Sequence, residues 1–192
     1  MLNDITLFIK TFERPKSLKR LLKSIHCYYP EISILIVDDS KTQIKESELL
    51  SIHTNLQYYH VDYDVGLSKG RNIGLSKIET KFFVLLDDDF YFTKNTDLIK
   101  LVSVIDNNDF DMVGFDFYDY GFCKRNFQGT YSIENNMLIR SIGDSKCLEK
   151  GYRMYDFILN CFFARTSFFK DNQWDEQSKI GCEHDNFLLN IK

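Results

Sequence analysis

The 192-residue sequence lacks four things that would each define a class of protein. There is no run of Lys or Arg; with 24 basic residues against 28 acidic ones and a net charge of −4, no stripe exists for a phosphate backbone, and nucleic acid is excluded as the expected partner. No apolar run approaches the roughly 20 residues that span a bilayer; the apolar run 82–86 is far shorter. The opening residues 1–10 carry no basic segment followed by a long apolar one, so no signal peptide is expected. The five cysteines, Cys27, Cys123, Cys147, Cys161 and Cys182, are odd in number and contain no C-x-x-C pair, which argues against a disulfide framework and a zinc site. No Asn-x-Ser/Thr sequon is present either. Together these absences point to reduced thiols and a cytoplasmic setting.

What is present is a core-forming composition, 44% hydrophobic and 15% aromatic, in a length that suits one domain over residues 1–192. Short apolar runs rich in β-formers at 5–10, 32–37, 56–61 and 82–86 alternate with helical spacing. Pro15 opens a stretch with Leu18, Leu21, Leu22 and Ile25 on one face; residues 44–52 suit a second helix; Ser68 is placed to cap a third, carrying Ile73 and Leu75. The alternation predicts βαβ units and a mainly parallel sheet. A helix is expected over 95–107. The pattern then becomes less regular, with strands of an antiparallel or mixed part expected over 112–118 and 129–142, another strand over 159–164 and a final helix over 183–191.

Ligands of such sheets bind beyond the carboxyl ends of the strands, so those ends carry the candidate chemistry. Asp87, Asp88 and Asp89 follow the most apolar strand; three adjacent carboxylates there are costly unless a cation or a hydrogen-bond network compensates. In an extended segment Asp87 and Asp89 share a side, where their oxygens suit Mg²⁺ or Mn²⁺, while Asp88 faces elsewhere. A solvated acidic loop tip is the plain alternative. Asp38 and Asp39 end the second strand, as a ribose-binding pair or as an ordinary turn. Gly66, Lys69, Gly70, Arg71 and Asn72 surround a helix start suited to an anion such as a diphosphate, though neither G-x-G-x-x-G nor a P-loop is spelled out. Glu183, His184 and Asp185 precede an apolar helical face; a carboxylate there can deprotonate a hydroxyl, with Trp174 upstream as a stacking surface for a sugar, or the group can serve simply as a helix cap.

In order and spacing, ITLFIKTFERP at 5–15, IVDDS at 36–40, DVGLSKGRN at 64–72 and LLDDDF at 85–90 resemble the family 2 glycosyltransferases of the GT-A fold. Within that family the set is most similar to the catalytic domain of the β-1,4-N-acetylgalactosaminyltransferases of the ganglioside-building type. The resemblance implies a three-layer, Rossmann-like nucleotide-diphospho-sugar transferase fold. It implies that Thr11, Glu13, Arg14, Asp38, Asp39 and Asp88 cradle a UDP-sugar donor, with Arg71 and Asn72 at the diphosphate or sugar. Asp87 and Asp89 match a D-x-D motif for Mn²⁺ or Mg²⁺. Glu183 and Asp185 take the catalytic acid and base places, with His184 and Trp174 on the side of a glycan or glycolipid acceptor; which of Glu183, His184 and Asp185 is the base stays open. Inversion at the anomeric carbon is the outcome implied. Relatives usually continue past the final acidic helix, which leaves a minimal enzyme, a truncated domain and a partner-dependent one as readings of the ending at Lys192.

Three rivals bear on this. A HAD-type phosphatase also places D-x-D after an apolar strand, but wants Thr or Val where Tyr91 stands. A sugar nucleotidyltransferase would want a Gly-rich basic loop after the first strand, where TFER stands at 11–14. The third rival is a non-catalytic nucleotide-binding remnant. Aromatic residues across 115–122 suit core packing, a glycan or peripheral contact with a membrane surface.

Overall fold

The computed structural model describes residues 1–191 except 120–122, 125–126, 144 and 148–151. Six strands form its main sheet. β1 (Ile5–Thr11), β2 (Ser33–Asp38), β3 (Leu56–His60) and β4 (Phe82–Asp87) run parallel, in the order β3-β2-β1-β4. Beyond β4 lie β12 (Phe162–Arg165), antiparallel to both its neighbours, and β5 (Met112–Gly114) at the edge. The chain moves outward from β1 to β3, then crosses back to place β4 on the other side of β1. That reversal opens a crevice at the carboxyl ends of β1 and β4.

Period-two alternation divides the core. Ile5, Leu7 and Ile9 of β1 face one layer with Val84 and Leu86 of β4, while Phe8 faces the other with Phe83 and Leu85. On the first side sit α1 (Pro15–Tyr28) and α4 (Leu98–Asn108). α1 starts at a proline whose missing N–H costs nothing at the first helical position, and it buries Leu18, Leu21, Leu22 and Ile25 at the spacing of one face. Asp97 caps α4 by accepting from the Lys100 amide at 3.0 Å. On the second side sit α3 (Leu67–Lys77), α5 (Thr166–Asp171) and α6 (Glu183–Asn190). The architecture is therefore a three-layer α/β fold with a mostly parallel central sheet.

Glycines let α3 lie close on β1. A Cβ at Gly70 would strike the Lys10 stem, and one at Gly74 would enter the Phe8 ring. Ser68 is the second residue of this helix rather than its cap; its hydroxyl donates to the Ser178 carbonyl at 2.6 Å, and Gly66, at φ 90°, occupies the cap position. The expected second helix shrinks to α2 (Glu46–Leu50).

The expected long strand over 129–142 is a hairpin, β8 (Gly129–Glu134) and β9 (Met137–Ile142). Asn135 and Asn136 turn it, both at positive φ (50° and 61°), the conformation a two-residue hairpin loop of primed type requires. Four further short strands pair locally: β6 (Tyr118–Asp119) with β7 (Cys123–Lys124), and β10 (Lys146–Cys147) with β11 (Arg153–Met154). Of the aromatic stretch, Phe115 and Phe117 pack with Phe90 against the first core layer, and residues 120–122 lie outside the described residues. Among the described residues no helix is long and apolar enough to cross a membrane.

Helix propensity alone would favour Gly74→Ala by up to ~1 kcal/mol. Because Phe8 is fully buried and cannot move aside, the substitution is instead expected to destabilise by ~1–3 kcal/mol through overpacking, read as a lower denaturant midpoint in urea unfolding.

Candidate active site

The switch-point crevice is a cleft of about 310 Å³ whose walls include Thr11, Phe12, Arg14, Asp39, Asp64, Gly66, Asp87, Asp88, Asp89 and Lys179. Its acidic side comes from the end of β4. Asp88, 4% exposed, turns into the protein and accepts from the Thr11 hydroxyl at 2.6 Å and from Arg14 Nη1 at 3.3 Å. Arg14 Nη1 also donates to Asp89 at 3.3 Å, and Arg20 donates to the Asp89 carbonyl at 2.7 Å, so this loop is tied to the start of α1. Asp87 lies 3.9 Å from Arg71 Nη2. Burial pushes the Asp87 carboxyl up to about 6, helped by Asp89 and Asp88 and opposed by Arg71. Burial likewise raises Asp88, against the Thr11 and Arg14 bonds.

Asp87 and Asp89 offer carboxylate oxygens to the cleft, a donor type that suits Mg²⁺ or Mn²⁺. Among the described residues no three His, Cys, Asp or Glu side chains form a ready cation cage. Two carboxylates with the remaining positions left to water and phosphate is how Mg²⁺ is ordinarily held, so these residues fit such an ion.

The opposite wall is basic and aromatic. Lys10, 5% exposed at the end of β1, is paired with Asp39 and donates to the Thr11 carbonyl at 3.0 Å. The second Asp39 oxygen accepts from the Gly66 amide at 3.1 Å, which holds the start of α3 against the cleft. Lys179 pairs with Asp64 at 2.7 Å at the rim. Phe12 (37% exposed) and Tyr63 (60% exposed) meet at a ring separation of 5.8 Å. Lys10 and Asp64 lie in the stretches 5–15 and 64–72 that carry the family resemblance, though neither was singled out as a site residue; Tyr63 and Lys179 stand outside those stretches and carried no signal.

Several expected site residues stand elsewhere. Asp38 is fully buried, accepting from the Ser40 amide at 2.9 Å and the Tyr58 hydroxyl at 2.7 Å; it anchors the turn and is not among the residues that line the cleft. Glu13 points away from the cleft and accepts from the Lys41 amide at 2.8 Å. Asn72 clasps the backbone of Trp174, donating to its carbonyl at 2.9 Å and accepting from its amide at 3.0 Å, so it is no diphosphate ligand here. Trp174 is corrected most: it is 2% exposed, stacked on Phe187 at 4.6 Å and tilted on Phe169 at 5.6 Å, a core residue with no ring face for a sugar.

Arg71 is the hub behind the cleft. It is 1% exposed, 3.3 Å from Glu183 and 5.5 Å above the Trp174 ring. In the orientation that satisfies both partners, the Asn160 amide oxygen accepts from Arg71 and its nitrogen donates to His184 Nδ1 at 3.0 Å. His184 Nε2 donates in turn to the Ile158 carbonyl at 2.8 Å. Both ring nitrogens are thus engaged. Glu183, 8% exposed, faces Arg71, whereas Asp185, two residues on in the same first turn of α6, accepts from the Tyr131 hydroxyl and lies 3.5 Å from Arg140.

A doubly wound sheet with carboxylates at its switch point and basic groups opposite is a domain built to hold a charged ligand over its strand ends. The chain belongs to glycosyl transferase family 2, whose profile matches residues 6–188. It is 40% identical over 113 residues to β-1,4 N-acetylgalactosaminyltransferase 2 of Mus musculus, covering 58% of this chain and 21% of that protein. To β-1,4 N-acetylgalactosaminyltransferase 1 of Rattus norvegicus it is 30% identical over 174 residues, covering 84% of this chain and 31% of that one. The chain therefore spans about a fifth to a third of these relatives. Among solved structures, S. aureus TarS superposes with a TM-score of 0.66 at 22% identity, covering 96% of this chain and 54% of that one, which shows a shared fold.

Burial holds the His184 imidazole at about 4, against the Ile158 bond that favours its charged form. The unfolded chain binds that proton near pH 6.5, so acidification from about 6.5 to about 4 is expected to lower stability through this residue. Histidine ring NMR shifts should show His184 neutral at pH 5.5; a ring half-protonated near 6.5 would contradict the assigned bonds.

Proposed function

We propose that this domain transfers a sugar from a UDP-sugar donor, GalNAc or another hexose or HexNAc, to a hydroxyl of a glycan or glycolipid, with inversion and with Mn²⁺ or Mg²⁺ at Asp87 and Asp89. The observation that carries the reading is the cleft itself: an acidic strand end, a basic wall and an aromatic pair converge over the switch point of a family 2 fold. Support for the donor comes from TarS, solved with UDP and with UDP-GlcNAc, and support for the sugar from the names of the N-acetylgalactosaminyltransferase relatives.

In this reading the Phe12 and Tyr63 rings at the rim stack the nucleobase, with Thr11 and Asp39 on the nucleoside side. Arg14 and Lys179 neutralise charge that grows on the departing UDP. A divalent ion held by Asp87 and Asp89 supplies further neutralisation of the diphosphate when bound. Asp88 holds the loop by its bonds to Thr11 and Arg14.

Asp185 is the base. Glu183 is turned into the protein against Arg71, and both nitrogens of His184 are occupied, whereas the Asp185 side chain is 34% exposed and its two oxygens, each with one donor, keep lone pairs for an incoming hydroxyl. It takes the acceptor proton as the hydroxyl oxygen attacks the anomeric carbon from the face opposite the UDP leaving group.

Calorimetric titration with UDP, with and without Mn²⁺, tests the donor site without knowledge of the acceptor. Binding is expected to depend on the metal, and Asp89→Ala is expected to lower UDP-sugar turnover about 100-fold, equal to ~2.7 kcal/mol, at unchanged thermal stability. A folded chain that binds no nucleoside diphosphate would favour the non-catalytic reading instead.

A further inference from the structure

We infer that Tyr131 and Arg140 are positioning residues for Asp185, so that the Gly129–Glu134 and Met137–Ile142 hairpin forms the acceptor-side wall of the site. The inference rests on the reading of Asp185 as the base and adds the element that aims it.

The argument begins at the hairpin turn. With Asn135 and Asn136 both at positive φ, the two-residue loop sets the register, and that register puts Tyr131 directly opposite Arg140. Directly opposed residues leave the same face of a two-stranded ribbon. Both therefore reach α6 together: the Tyr131 hydroxyl donates to Asp185 Oδ1, and Arg140 Nη1 lies 3.5 Å from Oδ2. Each carboxylate oxygen has its own partner from the hairpin.

The two side chains are themselves held. The Tyr131 ring tilts on Phe157 at 4.9 Å, and the Arg140 guanidinium lies 4.4 Å from the centres of both the Phe127 and Phe157 rings. Phe157 is fully buried and paired with Gly129 in both directions, its carbonyl accepting from the Gly129 amide at 3.0 Å and its own amide donating back at 3.2 Å. Asp156 accepts from the Tyr131 amide at 2.9 Å. A Cβ at Gly129 would run into the Ser141 carbonyl and the Phe157 ring, so glycine is what lets the hairpin seat this closely. Burial, together with the Asp185 bond, keeps the Tyr131 phenol well above its ordinary value, so it remains a donor throughout the working pH range.

A carboxylate aimed by two donors on a docked hairpin is restricted in rotamer, which is how a base is kept within reach of an acceptor proton. The donor cleft does not include the hairpin, so loss of these contacts should act on the transfer step and spare donor binding.

The test follows UDP release from UDP-GalNAc, with a simple saccharide or water as acceptor, alongside calorimetric UDP affinity. Tyr131→Phe, which keeps the ring on Phe157, and Arg140→Gln are each expected to lower kcat roughly tenfold while donor KM and UDP affinity stay at wild-type values. Arg140→Lys should recover part of the loss. Wild-type kcat in both Tyr131→Phe and Arg140→Gln, beside an inactive Asp185→Asn, would overturn the positioning role and leave the base assignment standing. A parallel loss of donor affinity would also overturn it, as the mark of a structural role. Full activity in Asp185→Asn would instead remove the base reading itself.

Discussion

The site depends on a single buried cation. Arg71 enters the second core layer from α3 and meets Asp87 from the end of β4, Glu183 from the start of α6, the Asn160 oxygen and the face of Trp174. Placing a guanidinium there is costly unless its charge is matched, and here two carboxylates from opposite sides of the site match it. That pairing fixes how far α6 stands from the acidic strand end. Removing either carboxylate would leave Arg71 under-compensated inside the protein, a far larger penalty than the loss of a surface ion pair.

Around this charge the domain separates into two functional sides. The donor side is built by the sheet: strands β1 and β4 diverge in connection at the switch point, and Lys10, Thr11 and Asp87 sit where their carboxyl ends leave the core. The opposite side is built by pieces distant in sequence, the hairpin and α6, joined through Asp185. Helix α3 serves both, since Gly66 meets Asp39 at the cleft while Arg71 and Asn72 face the region of Trp174 and Glu183. Its glycines are therefore about approach, bringing the helix onto Lys10 and Phe8, more than about turning.

Much of this was legible in the sequence because it is local. An apolar run ending in carboxylates is a strand meeting the sheet edge, and the spacing of Leu18, Leu21, Leu22 and Ile25 can only be one helical face. The strand limits at β1, β2 and β4 differ from the expected ones by a residue or so. The hairpin was harder: residues 129–142 read as one strand, since Asn135 and Asn136 punctuate only weakly until both adopt positive φ. The short helix Thr166–Asp171 carried no amphipathic signal long enough to mark it.

By itself, the sequence determined the α/β class, the parallel order implied by alternating strands and helices, and the acidic cluster at the end of β4, because each follows from periodicity or from the charge of neighbouring residues. Tertiary structure alone decided which polar groups face the cleft. Trp174 was free to be a sugar platform until Phe169 and Phe187 closed over it, and Asn72 was free to be a phosphate ligand until its amide met a backbone 102 residues away. Asp38 turned inward because Tyr58, on the neighbouring strand, offered a buried donor. The reason is physical: a polar side chain takes whichever partner the fold brings within hydrogen-bond reach, and partners supplied by distant elements leave no trace in local spacing.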